Sequence, residues 1–147
     1  RWIGGPGNLF VFLHPAVLGQ DGLQHPILTW GNGTGATPIM YDGLLRHFAS
    51  HGFIVVAPVS PMTGTGIEMM LGVDWLIEEN ERAGSRFENR VATERIGALG
   101  HSQGGRGAIQ AGRDSRVGCV LRRFSPYLAI FRRSKARRFS LEGSLTL

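Results

Sequence analysis

The chain has 147 residues, of which 42% are apolar and 18% charged, and its formal net charge is +5 at pH 7. This size and apolar content are typical of one ordinary domain. A membrane-spanning helix needs about 18 consecutive apolar residues, and the sequence contains no such run. The single cysteine, Cys119, excludes an internal disulfide framework and a cysteine-rich zinc site.

The positive charge lies at the C-terminal end of the sequence. Residues 1–118 contain 9 Arg and 10 acidic residues, whereas residues 119–147 contain 7 basic residues and one acidic residue. A body so close to neutral is not typical of a nucleic-acid-binding domain, so we expect no nucleic-acid partner. We interpret residues 1–118 as part of a folded domain and residues 119–147 as an atypical basic tail.

Short apolar runs bounded by Gly or Pro predict the strands of this domain. Continuous apolar runs of this length are typical of strands that are covered on both faces, as in a parallel sheet. The runs bounded in this way are residues 26–30, 53–57 and 95–99, and an earlier run, residues 9–13, ends at His14-Pro15 and is a candidate for a further strand.

Amphipathic segments between the runs predict helices. The first is expected to begin near Pro38 and to end before Gly52, and a third is expected to open after Ser102. The first has its apolar stripe at Tyr41, Leu44, Leu45 and Phe48, and the second at Met69, Met70, Val73, Leu76 and Ile77. The alternation of strands and helices predicts an α/β fold with a right-handed, mostly parallel sheet and flanking helices.

The sequence G-H-S-Q-G at residues 100–104 lies between a predicted strand and a predicted helix. G-x-S-x-G in that position is typical of a nucleophile elbow. Side chains at Gly100 and Gly104 would collide with the backbone of so tight a turn. The turn would lift the Ser102 hydroxyl out of the sheet and direct the N-terminus of the next helix at a developing oxyanion. The alternative is a glycine-rich turn without chemistry.

A second glycine-rich segment, W-G-N-G-T-G at residues 30–35, directly follows an early predicted strand. An oxyanion hole of this kind takes one backbone N–H from the residue after the nucleophile and one from a loop after an early strand. Gln103 is placed for the first donor and the Gly33-Thr34 stretch for the second. A purely structural turn is the alternative. A phosphate cradle is not supported, because the segment contains neither G-x-G-x-x-G nor a P-loop lysine.

These motifs, with the helix at residues 41–51 and the strand at 53–57, make residues 10–117 similar to serine esterases of the α/β-hydrolase fold. The chain resembles the cutinase-like polyester hydrolases and the chlorophyllase-like and dienelactone-hydrolase-like esterases. The resemblance implies the N-terminal part of an α/β-hydrolase fold, incomplete at its C-terminal side. It also implies that Ser102 is the nucleophile and that the Gln103 and Thr34 amides form the oxyanion hole. Many polyester hydrolases have Met at the position of Gln103.

The serine of this fold is followed along the chain by an acid and then by a histidine. The five histidines, at 14, 25, 47, 51 and 101, all precede Ser102, so no triad acid or histidine is identifiable. His101 is expected to point away from Ser102 and to pack in the elbow. The tail is then interpreted as a frameshifted reading of a longer esterase gene, and the alternative is a genuine basic tail that binds acidic partners.

The remaining predictions concern pocket residues, cofactors and location. Met62 and Trp30 are candidates for lining the substrate pocket, with core packing as the alternative. No His, Asp and Glu cluster has metal-ligand spacing, so we expect no metal and no cofactor. The resemblance implies a secreted or periplasmic location, and Arg1 at the first position indicates a processed or fragmentary N-terminus.

The sequence therefore predicts a serine carboxylic-ester hydrolase that acts on a small-molecule or polymeric ester, including polyester or lipid-like esters. The mechanism is attack by Ser102 and formation of an acyl-enzyme. One alternative is a catalytically inactive, truncated hydrolase or binding module that lacks the triad acid and histidine. A second is a protein that binds nucleic acid or acidic surfaces through its tail. The oligomeric state does not follow from the sequence.

Overall fold

The computed structural model describes residues 2–4, 7–15, 22–124, 127–133 and 139–146. Within them, one sheet of eight strands has the order β1-β2-β4-β3-β5-β6-β7-β8. The strands are β1 (Trp2–Gly4), β2 (Leu9–Phe12), β3 (His25–Gly31), β4 (Ile54–Pro58), β5 (Val91–His101), β6 (Val117–Phe124), β7 (Tyr127–Arg133) and β8 (Phe139–Thr146).

The four central strands are parallel, and the strands at both sides of them are antiparallel. Strand β3 pairs in parallel with β4 and β5, and β5 pairs in parallel with β6. Strands β1 and β2, and strands β7 and β8, join the sheet through antiparallel pairings. The predicted α/β class is confirmed, but the sheet is mixed rather than mostly parallel. Short connections such as the one from β6 to β7 can join only antiparallel neighbours.

Three α-helices cover the two faces of the sheet: α1 (Asp42–Ser50), α2 (Ile67–Glu81) and α3 (Gln103–Ala111). A short 3₁₀ helix, Pro38–Tyr41, precedes α1. The start near Pro38 and the stop at Gly52 are confirmed, and Gly52 takes a left-handed φ of +90°. The predicted third helix is confirmed as α3.

Alternating strand residues divide the core into two layers, since successive side chains point to opposite faces of a sheet. In β3, Ile27 belongs to the layer beneath α2 and α3, whereas Leu28 and Trp30 belong to the layer beneath α1. The helices contribute Met69, Val73, Leu76, Ala108 and Ala111 to the first layer and Leu45 and Ala49 to the second. The continuous apolar runs of the sequence are thus explained by burial on both faces.

The boundary placed after residue 118 falls inside β6. This strand pairs with β5 from Ile96 to His101, so the first residues of the predicted tail extend the central sheet. The rest of the tail, where described, forms β7 and β8, for which the sequence analysis predicted no structure. Residues 125–126, 134–138 and 147 of that tail lie outside the described residues.

Candidate functional site

Three loops meet at the carboxyl edge of the adjacent parallel strands β4, β3 and β5. Strand β3 ends at Gly31, β4 at Pro58 and β5 at His101, and a loop or helix follows each one. Ligands of open α/β sheets bind at this edge, because the sheet positions the loops there and the loops supply the side chains and backbone groups that contact the ligand. The two glycine-rich motifs lie on the loops after β3 and β5.

Ser102 occupies a tight turn between β5 and α3. Its φ is 53° and its ψ is −119°. This conformation is unfavourable in free energy for any residue that carries a side chain. The Ser102 N–H donates to the Arg123 carbonyl at 3.1 Å, and the Gly105 N–H donates to the Ser102 carbonyl at 2.9 Å. The neighbouring strand β6 and the first turn of α3 therefore hold the strained serine in place.

Gly100 and Gly104 have no space for a side chain. A Cβ atom at Gly100 would lie 2.1 Å from the Gly104 carbonyl oxygen, and one at Gly104 would lie 2.1 Å from the Gly31 carbonyl oxygen. The contacting atoms are backbone, which cannot rotate away. Glycine at these positions is what lets α3 approach the ends of β5 and β3 closely.

The strain at Ser102 leads to a prediction about stability. Glycine adopts positive φ at little cost, so Ser102→Gly relieves the strain, but glycine also loses more conformational entropy on folding than serine does. The net expectation is that Ser102→Gly raises the free energy of unfolding by about 1 kcal/mol. Ser102→Ala removes the same hydroxyl but keeps the strain, and serves as the matched control. Urea unfolding of the two variants measures the difference. A glycine variant no more stable than the alanine variant would contradict the strain argument.

The loop after β3 is held by two buried polar residues that the sequence analysis did not single out. Asn32, which is fully buried, donates through Nδ2 to the Pro58 carbonyl at 2.7 Å and to the Ser60 carbonyl at 2.9 Å. Thr63 is also fully buried and donates through Oγ1 to the Asn32 carbonyl at 3.0 Å. These bonds join the loops after β3 and β4. The only available signal was a polar residue between glycines directly after a strand.

The two candidate oxyanion donors differ in their surroundings. Gln103 is the first residue of α3, so its backbone N–H has no acceptor within the helix. Thr34 is exposed at the tip of the loop after β3. The N–H of Gly33 donates to the Tyr41 hydroxyl at 3.1 Å. Within the Gly33-Thr34 stretch, the Gly33 N–H is therefore already bonded, and Thr34 as the second donor stays a prediction.

The two candidate pocket residues lie in different environments. Met62 is 59% exposed, and its sulfur accepts a hydrogen bond from Gln103 Nε2 at 3.2 Å. Trp30 is only 2% exposed and packs in the core, where its ring lies 4.9 Å from that of Tyr41. The side chains of Trp30 and its neighbour Thr29 point to opposite faces of β3. Trp30 faces the core layer beneath α1, so it does not line the pocket as predicted.

The five histidines lie in other contacts. His25 Nδ1 is 3.0 Å from the Gly52 carbonyl, and His101 Nδ1 is 3.1 Å from the Tyr41 hydroxyl. His47 and His51 lie against each other at the end of α1, and His14 is exposed. Among the described residues, no hydrogen bond joins Ser102 to a histidine. His101 packs with Tyr41, as expected for the residue before the serine.

Two further properties concern metals and membranes. The described part of the chain contains no group of three or more His, Cys, Asp or Glu side chains that could hold a metal ion. No helix in that part of the chain combines the length and the apolar character needed to cross a membrane.

The sheet with its flanking helices, and the serine turn between β5 and α3, define a partial α/β-hydrolase fold. The family model described as Chlorophyllase matches residues 5–116. The chain therefore belongs to the chlorophyllase family, an α/β-hydrolase-like family of esterase-like hydrolases. A comparison with curated proteins gives no match to this sequence.

Proposed function

We propose that this protein is a serine carboxylic-ester hydrolase that acts through an acyl-enzyme on Ser102. The observation that carries the proposal is the conformation of Ser102, with φ 53° and ψ −119° at the turn from β5 into α3. A strained serine held between a strand and a helix is the local geometry of a nucleophile elbow. The chlorophyllase family membership supports hydrolysis of an ester.

In the proposed reaction the Ser102 Oγ attacks the ester carbonyl carbon, and its proton passes to a general base. The carbonyl oxygen becomes an oxyanion that accepts hydrogen bonds from the Gln103 and Thr34 amides. Collapse of the tetrahedral intermediate breaks the bond to the leaving oxygen, which takes the proton back from the base and departs as the alcohol, and an acyl group stays on Ser102. Water then attacks the acyl-enzyme, releases the carboxylic acid and restores the serine.

The substrate proposed is an ester with an apolar acyl part. Met62 beside Gln103 is exposed, as are Ile39 at 65% and Met40 at 72% in the 3₁₀ helix after the Thr34 loop. Exposed apolar side chains on the loops around a site are typical of a surface that binds an apolar ligand. Polyester is a narrower proposal within this class, based on the resemblance to cutinase-like hydrolases.

A fluorophosphonate reagent tests the nucleophile directly. Its phosphorus is attacked by an activated serine, which expels fluoride and leaves a stable phosphonyl-serine. We expect mass spectrometry to find one adduct, on the peptide that contains Ser102. Ser102→Ala should prevent labelling, whereas the control Ser115→Ala, at an exposed serine, should leave it unchanged. Labelling that persists in Ser102→Ala would refute the proposal.

A catalytically inactive hydrolase that retains a binding site is the second candidate. It is favoured by the absence, among the described residues, of a hydrogen bond between Ser102 and any histidine. A serine hydroxyl without a general base is a poor nucleophile near neutral pH. If the unaltered chain is neither labelled nor hydrolyses esters, but an apolar ester protects it from thermal unfolding, this second function is the correct one.

A further inference from the structure

Tyr41 connects the two motifs of the candidate site through its hydroxyl group. The Gly33 N–H donates to Tyr41 Oη at 3.1 Å, and Tyr41 Oη lies 3.1 Å from His101 Nδ1. Gly33 precedes the candidate oxyanion donor Thr34, and His101 precedes the candidate nucleophile Ser102. The hydroxyl therefore joins the residue before the donor to the residue before the nucleophile.

Only the first of these two hydrogen bonds has a direction that follows from counting donors. The Gly33 amide can only donate its N–H, so Tyr41 Oη accepts from it. Between Tyr41 and His101 the donor depends on the imidazole tautomer: the Tyr41 O–H donates where Nδ1 carries no proton, and Nδ1–H donates to Tyr41 Oη where it does. In both tautomers the Tyr41 hydroxyl is bonded to Gly33 and to His101 at the same time.

Packing around Tyr41 leaves little freedom for this arrangement. The Tyr41 ring lies 4.9 Å from the Trp30 ring and 5.8 Å from the His101 ring. A Cβ atom at Gly33 would lie 2.9 Å from both Tyr41 Oη and His101 Nδ1. The two side chains therefore leave no room for a side chain at Gly33, and the peptide that carries the Gly33 N–H cannot turn without breaking the bond to Tyr41.

We infer that Tyr41, held by His101, is a positioning residue that orients the Thr34 amide for the oxyanion. Tyr41 holds the peptide that carries the Gly33 N–H. The next peptide, which carries the Thr34 N–H, is held at its carbonyl end, because Gly33 O accepts from the Ala36 N–H at 3.0 Å. With the peptides on both sides of Gly33 held, the direction of the Thr34 N–H is restricted. Preorganised donors stabilise an oxyanion because they need no rearrangement during the reaction. This inference rests on the proposed function of Ser102.

The test compares Tyr41→Phe with the unaltered protein. Phenylalanine keeps the ring contact with Trp30 but removes the hydroxyl, so the Gly33 amide loses its acceptor. We expect the rate of phosphonylation at Ser102 to fall about tenfold, the effect of one hydrogen bond, and Gly33 amide hydrogen exchange to become faster. Ser50→Ala, which removes a hydrogen bond of Ser50 Oγ to the His47 carbonyl on the same helix, is the matched control and should change neither quantity.

Substitutions at His101 give a second test that does not depend on the folding of the Phe variant. His101→Asn offers an amide oxygen near the position of Nδ1 and is expected to retain most of the labelling rate. His101→Leu offers no acceptor and should behave as Tyr41→Phe does. Failure of the unaltered protein to react refutes the proposed function. Normal labelling and normal Gly33 exchange in Tyr41→Phe refute the positioning role alone.

Discussion

Replacement of Ser102 by alanine is expected to abolish the burst of p-nitrophenol from p-nitrophenyl acetate and to lower kcat by about 10³-fold or more. The burst measures formation of the acyl-enzyme, which needs the Ser102 hydroxyl. The Gln103 and Thr34 amides remain in this variant, so any residual turnover reports what the oxyanion hole provides without the nucleophile. Stopped-flow absorbance gives the burst amplitude, and the steady-state slope gives kcat.

Two controls make this experiment specific. Ser115→Ala removes an exposed serine outside the candidate site and is expected to keep the burst and kcat of the unaltered protein. Equal unfolding transitions in urea for Ser102→Ala and the unaltered protein exclude a loss of activity through unfolding. Undiminished turnover by Ser102→Ala would show that the hydrolysis uses another group.

The central part of the fold could be predicted because its signals are local. Each apolar run that predicted a strand is bounded by Gly or Pro, and β3 and β4 lie within one residue of the prediction. Strand β5 begins at Val91, four residues before the predicted start at Arg95. Glu94 and Arg95 interrupt the apolar pattern there, and the pairing with β3 shifts register between Pro26 and Ile27. Local composition does not reveal such an irregular strand.

The outer strands could not be predicted in the same way. Strand β7 begins with the apolar run Y-L-A-I-F at residues 127–131, but neither Gly nor Pro follows it and two arginines end the strand. Strand β8 has no continuous apolar run, and both strands join the sheet only through β6. Their position at the end of the sheet depends on the antiparallel pairings of β7 with β6 and with β8. The basic composition of this region indicated a tail, while its antiparallel pairings are a property of the assembled sheet.

The candidate site likewise has a part that local sequence predicts and a part that only the fold brings together. Gly100, Ser102 and Gly104 could be singled out because the geometry of the turn depends on residues that are adjacent in the sequence. The contact between Tyr41 and His101 joins positions 60 residues apart. The sequence pattern places Tyr41 on the apolar face of the first predicted helix, and the Tyr41 ring does pack against the core layer beneath α1. Only the folded chain places its hydroxyl between two loops.

Replacement of Gly104 by alanine is expected to lower the free energy of unfolding by about 3 kcal/mol or more. The new Cβ would lie 2.1 Å from the Gly31 carbonyl oxygen and 2.5 Å from that of Asn32. Overpacking costs about 1–3 kcal/mol where side chains can adjust, and here the obstacle is backbone at the end of a central strand. Relief requires α3 to move away from β3, which opens the contact between the serine turn and the Thr34 loop.

Gly43→Ala is the matched control, because it is the same substitution where the structure has space. Gly43 lies near the start of α1, and no atom outside its local helix lies within 4 Å of the place that a Cβ would take. Alanine is the better helix former by about 1 kcal/mol, so this variant is expected to be slightly more stable than the unaltered protein. Urea unfolding measures both changes, which have opposite signs. If Gly104→Ala unfolds at the same urea concentration as Gly43→Ala, the close approach of α3 to β3 does not determine the stability of the serine turn.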